Sequence, residues 1–280
     1  MFFHIEHTTE YRYSEPATES FSELRLRPRD SLRQKVSRHY TRVEPSVLVE
    51  SHTDYFGNFV ETVSIPFRHP SLVVTSVCDV ETKPFHDILA AVQLTVAEAR
   101  QLYTERRREL HDFLRPSKIV SFPKGVWELA DQFLPPAAPF TESLRALNTH
   151  LFRSLHYRPG ATDAGTTVEQ FLKLKDGVCQ DFAHLMISVC RAAGIPARYV
   201  SGYFYAANEP DLASHAWADV CLNVATRRWV SIDITHACLI DERHIRLAIG
   251  GDYSSCPPAK GVRRGGGKES MAVVIKIAPV

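Results

Sequence analysis

A cysteine, a histidine and an aspartate stand where chemistry could be done: Cys179 in "DGVCQDFAHLMISVC", His215 in "SHAWADVCL" and Asp233 in "WVSIDIT". Around Cys179 the apolar residues Val178, Phe182, Leu185, Met186 and Val189 recur at intervals of three and four, the stripe of an amphipathic helix. Gly194 and Pro196 end it. Cys179 therefore falls at or near the first turn, where unpaired N–H groups and the positive end of the helix dipole favour a thiolate, the nucleophilic form of sulfur. Cys190 follows three turns later, about 16 Å along the axis, too far to share a site, and is expected in the core.

A thiolate nucleophile needs a base. Of the 13 histidines, His215 is singled out because it opens a strand pattern in which His215, Trp217, Asp219 and Cys221 share a face. In the next run Trp229, Ser231 and Asp233 share one. A hairpin centred on Val224 sets residue 233 directly opposite residue 215. The carboxylate would then orient the imidazole and stabilise its charged form while the other ring nitrogen faces the thiol. Asp219 is the rival for that role. Side chains two apart on one strand diverge where cross-strand neighbours converge, which favours Asp233. No Cys-x-x-Cys pair, His-Glu-x-x-His motif or zinc-spaced cluster is present, so no metal is expected, and no EF-hand loop or dense acidic cluster implies calcium. No cofactor is expected.

The elements that must position these residues fall into four parts. Residues 1–84 carry short alternating runs such as "FSELRLRP", "NFVETVSIPF" and "LVVTSVCDVET" between turn residues, and predict a β-rich N-terminal domain. Residues 85–135 read as a helical connecting segment. Helical spacing runs from about 95 to 115, opened by Thr95 as N-cap with Glu98 three residues on, and a second helix lies near 124–134. The triple Arg106, Arg107, Arg108 is flanked by Glu105 and Glu109 and reads as a solvated helix face. Residues 136–250 form the candidate catalytic core: a helix over about 141–157, the loop "YRPGATDAGTT" opening a helix at "VEQFLKL", the Cys179 helix, then strands "ARYVSGYF", "HAWADVCLNV" and "WVSIDIT". Helices followed by antiparallel strands, with no βαβ alternation, make the class α+β. Residues 251–280 read as a loop and one final strand. Within them "GGGKES" is not a phosphate loop, because Glu269 occupies the place of the Ser or Thr that holds magnesium.

Hydrophobic residues at 44% and charged residues at 23% are those of an ordinary globular protein long enough to bury a large core. A formal charge of +1 gives no long-range field for nucleic acid or anionic membrane, and neither is expected as a partner. The start, "MFFHIEHTTEYRYSEP", lacks the unbroken apolar run of a signal peptide, no segment approaches the roughly 20 apolar residues of a membrane span, and six dispersed cysteines do not form a disulfide frame. A cytoplasmic protein with reduced thiols is the expectation.

The stretch "GVCQDFAHLMISVCRAAGIPARYVSGYF", with "SHAWADV" and a tryptophan followed by "SIDIT", resembles the transglutaminase-like superfamily of cysteine enzymes in its bacterial branch. "YRYSEP", "ELRLRPRD", "DYFGNFVE" and the tail "DERHIRLAIGGDYSSCPPAKGV" extend the resemblance over nearly the whole chain. It implies a papain-like α+β core behind a β-rich N-terminal domain, with Cys179 as nucleophile, His215 as general base and acid, and Asp233 as orienting acid. The chain departs from the family pattern at Ile234, where Asp-Pro-Thr is usual, which is expected to loosen the strand end that aims Asp233. It departs again at Gly251, where arginine is usual. Gln180, Asp181, His184 and Trp217 are candidates for the substrate cleft; for the first three, helix-start electrostatics and a packed histidine is the competing reading. The expected activity is cysteine-dependent acyl transfer on a carboxamide or peptide bond of a protein or peptide substrate. Water or a primary amine would take the acyl group from a thioester. The alternative is a non-catalytic protein-binding module with a relict Cys-His-Asp set.

Overall fold

The computed structural model describes residues 1–84, 92–207, 214–223 and 228–280. In β1 (Phe2–Leu24) the residues Phe3, Ile5, His7 and Thr9 are buried between more exposed neighbours, the period-two pattern of a strand with one face on a core. β1 organises a seven-stranded antiparallel sheet with β2 (Gln34–Glu44), β3 (Val49–Thr53), β4 (Phe59–Ile65), β5 (His69–Thr82), β13 (Ala259–Gly265) and β14 (Glu269–Pro279). The tail is thus two strands, and both belong to the N-terminal sheet. β13 escaped the sequence reading because "AKGVRRG" is exposed over most of its length and carries no apolar alternation.

The helices follow their local signals. Thr95 caps α1 (Val96–Thr104) in a reciprocal box with Glu98. α1 stops at Thr104, well short of the expected 115, because nothing is buried between Tyr103 and Leu110 and a further turn has no packing to hold it. α2 (Lys124–Phe133) and α3 (Phe140–Ser154) lie close to their expected bounds. Thr167 and Gln170 box the start of α4 (Val168–Leu174). The short strands β6 (His156–Tyr157), before α4, and β7 (Asp176–Gly177), after it, pair in parallel, and β7 leads into α5 (Cys179–Ala192).

A five-stranded antiparallel sheet completes the core, in the order β11 (Cys238–Leu239), β10 (Arg228–Asp233), β9 (His215–Asn223), β8 (Ala197–Phe204), β12 (His244–Gly250). α5 is buried nearly all round and packs with Ala216, Ala218 and Val220 of β9; Cys190 is fully enclosed there, as expected. Alternation sends Trp217 to the opposite face, where it packs with Val200, Ile240 and Ile249 beneath Phe56 of the N-terminal region. Phe3 and Ile5 of β1 enter the same core as α5, so the two regions share apolar packing.

β12 is the edge of this sheet, and two buried amides of the N-terminal region close it. Gln34 donates to the Arg246 carbonyl at 2.7 Å and accepts from the Arg246 N–H at 2.9 Å. Asn58 does the same at Ile249, at 2.7 and 2.8 Å. Each amide supplies the donor and acceptor that a neighbouring strand would, so the edge offers no free ladder at these residues.

Candidate active site

The start of α5 is built by close approach. A Cβ at Gly177 would lie 2.6 Å from the Phe171 ring and 2.7 Å from Asp181 Oδ2, so only glycine lets the chain pass there. Val178 is extended, and its N–H donates to Asp181 Oδ2 at 2.8 Å, the N3 side chain reaching back to the cap. Thr162 Oγ1 donates to the same oxygen at 2.6 Å and fastens the 158–166 loop to the helix start. Burial raises the Asp181 carboxyl against the lowering effect of these hydrogen bonds. Cys179 follows as the first residue of α5, at 9% exposure.

His215 opens β9 and Asp233 closes β10. The register differs from the expected one. Asp219 pairs with Ser231 and Ala218 with Ile232, which continues to place Asp233 opposite Trp217, two residues from His215. Val224, the expected turn centre, lies outside the described residues. The strands pair Asn223 with Arg228 and then shift by one at Trp229, so the even-length connection plus an irregularity replaces the symmetric loop assumed from sequence. Parity is preserved, and the contact is made on the diagonal: His215 Nε2 lies 2.8 Å from Asp233 Oδ2. This leaves Nδ1 for sulfur, and the Cys179 side chain acts on His215 in the direction that favours its charged form.

Two further histidines converge on Asp233. His236 Nδ1 lies 2.7 Å and His244 Nε2 3.0 Å from the same Oδ2, while Oδ1 accepts the N–H groups of Thr235 at 2.9 Å and His236 at 3.3 Å. His244 Nδ1 lies 3.1 Å from the Asp241 backbone nitrogen and 3.2 Å from Asp241 Oδ1, and its Nε2 donates to Asp233. The expected loosening at Ile234 is absent. The turn bonds use the N–H groups of residues 235 and 236, and Ile234 is itself buried. Gly251 leaves room for a side chain; its carbonyl accepts from the buried Arg191 at 2.6 Å.

Burial alone would lower the His215 imidazolium. The Asp233 charge, its hydrogen bond and the Cys179 sulfur outweigh burial and push His215 up to about 10. Burial acts to raise Asp233, but the imidazolium charge of His215 and the three imidazole hydrogen bonds hold its carboxyl well below the usual range. The pair is therefore a carboxylate and an imidazolium across neutral pH, a charge arrangement that suits a thiolate at the third corner. His215, Asp233 and His236 form one grouping with the donor types of a metal site, and Asp233, Cys238 and His244 another. Their His–Asp separations of 2.7–3.0 Å are hydrogen-bond lengths, with a proton between each pair.

The cleft candidates divide by burial. Gln180 is half-buried at the helix start, its Nε2 3.5 Å from the Asp163 carbonyl. Asp181, His184 and Trp217 are at 2%, 1% and 0% exposure, beneath the surface rather than on it. His184 Nε2 accepts the Tyr253 N–H at 3.1 Å and its ring stacks on Tyr199, so it ties α5 to the turn Tyr253–Ser255. Asp219, the rival acid, is taken by Arg198 and Arg246 midway along β9. His236 and His244 were not found from sequence. His236 has a local signal, since it follows Asp233 by three residues in a tight turn. His244 has none, because only the β8–β12 pairing brings it there.

Residues 128–234 match the transglutaminase-like superfamily and residues 3–81 the bacterial transglutaminase-like N-terminal region. The chain belongs to this family. An uncharacterized protein of Mycobacterium tuberculosis strain H37Rv is 34% identical over 275 residues, 93% of this chain and 87% of that one. A protein-glutamine gamma-glutamyltransferase of Pseudomonas aeruginosa is 29% identical over 135 residues, 45% of this chain and 20% of that protein. The crystal structure of a proposed cysteine protease from Cytophaga hutchinsonii superposes with a TM-score of 0.81 at 21% identity, covering 99% of this chain and 90% of that one. The fold is the α+β papain-like transglutaminase fold behind a β-rich N-terminal region, and the family is one of cysteine-dependent enzymes.

Proposed function

We propose that the protein is a cysteine-dependent acyl-transfer enzyme acting on carboxamide or peptide bonds of a protein or peptide substrate. The observation that carries this reading is the convergence of Cys179, at the first turn of α5, with the His215–Asp233 pair, whose side chains lie 2.8 Å apart. In the first half-reaction the Cys179 thiolate attacks the carbonyl carbon. The oxyanion is held by first-turn N–H groups of α5, that of Cys179 among them. His215 gives its proton to the departing ammonia or amine, and a thioester remains. In the second, neutral His215 takes a proton from an incoming amine or water, the acyl group leaves sulfur, and the imidazolium–thiolate pair is restored. Asp233 keeps the ring in one tautomer and balances its charge throughout.

The Pseudomonas relative's name supports amine transfer from glutamine, and the Cytophaga neighbour's description supports proteolysis. Glutamine-containing peptides incubated with and without a primary amine, with ammonia and products followed by mass spectrometry, separate the two. Amine-dependent adducts assign transfer, and shortened peptides assign proteolysis. Activity that survived Cys179→Ala would sink both.

A further inference from the structure

Asp219 lies on the same face of β9 as His215, four residues and about 13 Å further along the strand. Arg198 binds its carboxylate at 3.0 and 2.9 Å, Arg246 binds it at 2.9 Å, and Ser231 donates at 2.5 Å. Two guanidiniums on one carboxylate leave a positive charge in excess. Arg198, Arg246 and Ser231 form one wall of a cavity of about 250 Å³ between the core sheet and the N-terminal region, whose other walls include Arg33, Lys83, Trp229 and His244. Asp241 is the carboxylate on that wall, and Arg243 holds it at 2.9 and 2.6 Å.

The cations are placed there by the fold. The Lys83 N–H donates to the Arg33 carbonyl at 2.7 Å, which joins the end of β5 to the turn before β2. Gln34 fixes the backbone of Arg246. Arg198 lies 4.1 Å over the Trp229 ring, so its plane is set by an aromatic face. Burial, with repulsion from Arg246, pushes both Arg33 and Arg198 down to about 10, the mark of cations gathered at a cost that a shared anion would offset.

We infer that this cavity binds a small multivalent oxyanion, phosphate-bearing or polycarboxylate, between Arg33, Lys83, Arg198 and Arg246. Guanidiniums present paired N–H donors to phosphate or carboxylate, and Lys83 adds a mobile point charge at the mouth. The volume admits such an anion and excludes a nucleotide or a peptide segment. The site is separate from Cys179, and His244, which holds Asp233, is part of its wall.

The test is titration of the full chain with inorganic phosphate and with citrate at constant ionic strength, chloride replacing the anion, read by calorimetry and by melting temperature. Saturable binding of either is expected, and which one binds assigns the headgroup. In Arg33→Gln/Lys83→Gln the dissociation constant should rise at least about tenfold, as expected for two lost charge-assisted contacts. Circular dichroism and the anion-free melting temperature report whether that variant is folded. Lys83→Gln alone, at an exposed position, gives a several-fold rise and needs no folding assumption. The inference is overturned if neither anion binds saturably beyond matched chloride, or if the variants bind as tightly as the parent.

Discussion

Asp233 follows the last β9–β10 pair, Ile232 with Ala218, yet its carboxylate reaches along β9 to hold the imidazole of His215 at 2.8 Å. The diagonal contact leaves Oδ2 open to His236 and His244 as well, so one oxygen collects three imidazoles. Asp233→Asn keeps the shape and removes the charge that pushes His215 up. Activity should fall by about 10²–10⁴, the scale of an orienting carboxylate in a nucleophile–His–acid set. The pH profile of Cys179 alkylation should move to higher pH, because the imidazolium beside sulfur is no longer favoured. An unmoved profile would remove Asp233 from the mechanism.

His244→Gln loses the Nε2 donor to Asp233 inside the core. As a positioning residue it should lower kcat by roughly 10- to 100-fold with KM little changed, since a small misplacement of a reacting group has effects of that order. The same variant should shift the alkylation pH profile in the direction of Asp233→Asn, which a purely structural role would not do. His236→Ala should have the smaller effect, its side chain being 40% exposed and its backbone N–H still bonded to Asp233.

Stability should fall on the acid side well above the carboxylate range. Burial holds His7 and His39 down to about 4 and His184 down to about 3. Between pH 6.5 and about 4 the unfolded chain binds these protons and the folded chain does not, so the contribution present above pH 6.5 is lost as pH falls, at up to about 1.4 kcal/mol per pH unit for each histidine. His215 has the opposite sign. Its folded pKa is raised to about 10, so its contribution is complete below 6.5 and lost as pH rises through 10. Urea midpoints from pH 4.5 to 10 should show both limbs, and His184→Gln should flatten the acid one; an equally steep limb in that variant would exclude His184 as a source.

Gly177→Ala should cost about 1–3 kcal/mol, since its Cβ would overlap the Phe171 ring and Asp181 Oδ2. It should also weaken the Asp181 bond to Val178 that fixes the first turn. Denaturant unfolding measures the first effect and the alkylation rate of Cys179 the second.

The residues that do local work were legible. Cys179 is marked by a stripe, a glycine and a stop signal, and His215 and Asp233 by alternation on two strands, which fixed their faces even though the register was two residues off. A period-two pattern determines parity and leaves the turn length free, so the error cost nothing at the contact. His244 and Gln34 were illegible because their partners are set by pairings between distant segments. β13 was illegible because an exposed strand has no face to protect and so carries no pattern. The helix expected to reach 115 failed for a related reason: the arginine-rich run has helical composition but nothing to pack against.

Gln34 and Asn58 have a consequence for how the chain can be divided. The two regions that match separate family profiles invite cutting near residue 91, as though the core were a portable cassette. Such a cut would strip the β12 backbone of four hydrogen bonds from two side-chain amides and leave an edge open to strand addition by other molecules. The N-terminal region is, in this sense, an intramolecular chaperone that never leaves: grafts, truncations and chimaeras of this enzyme should carry both parts together.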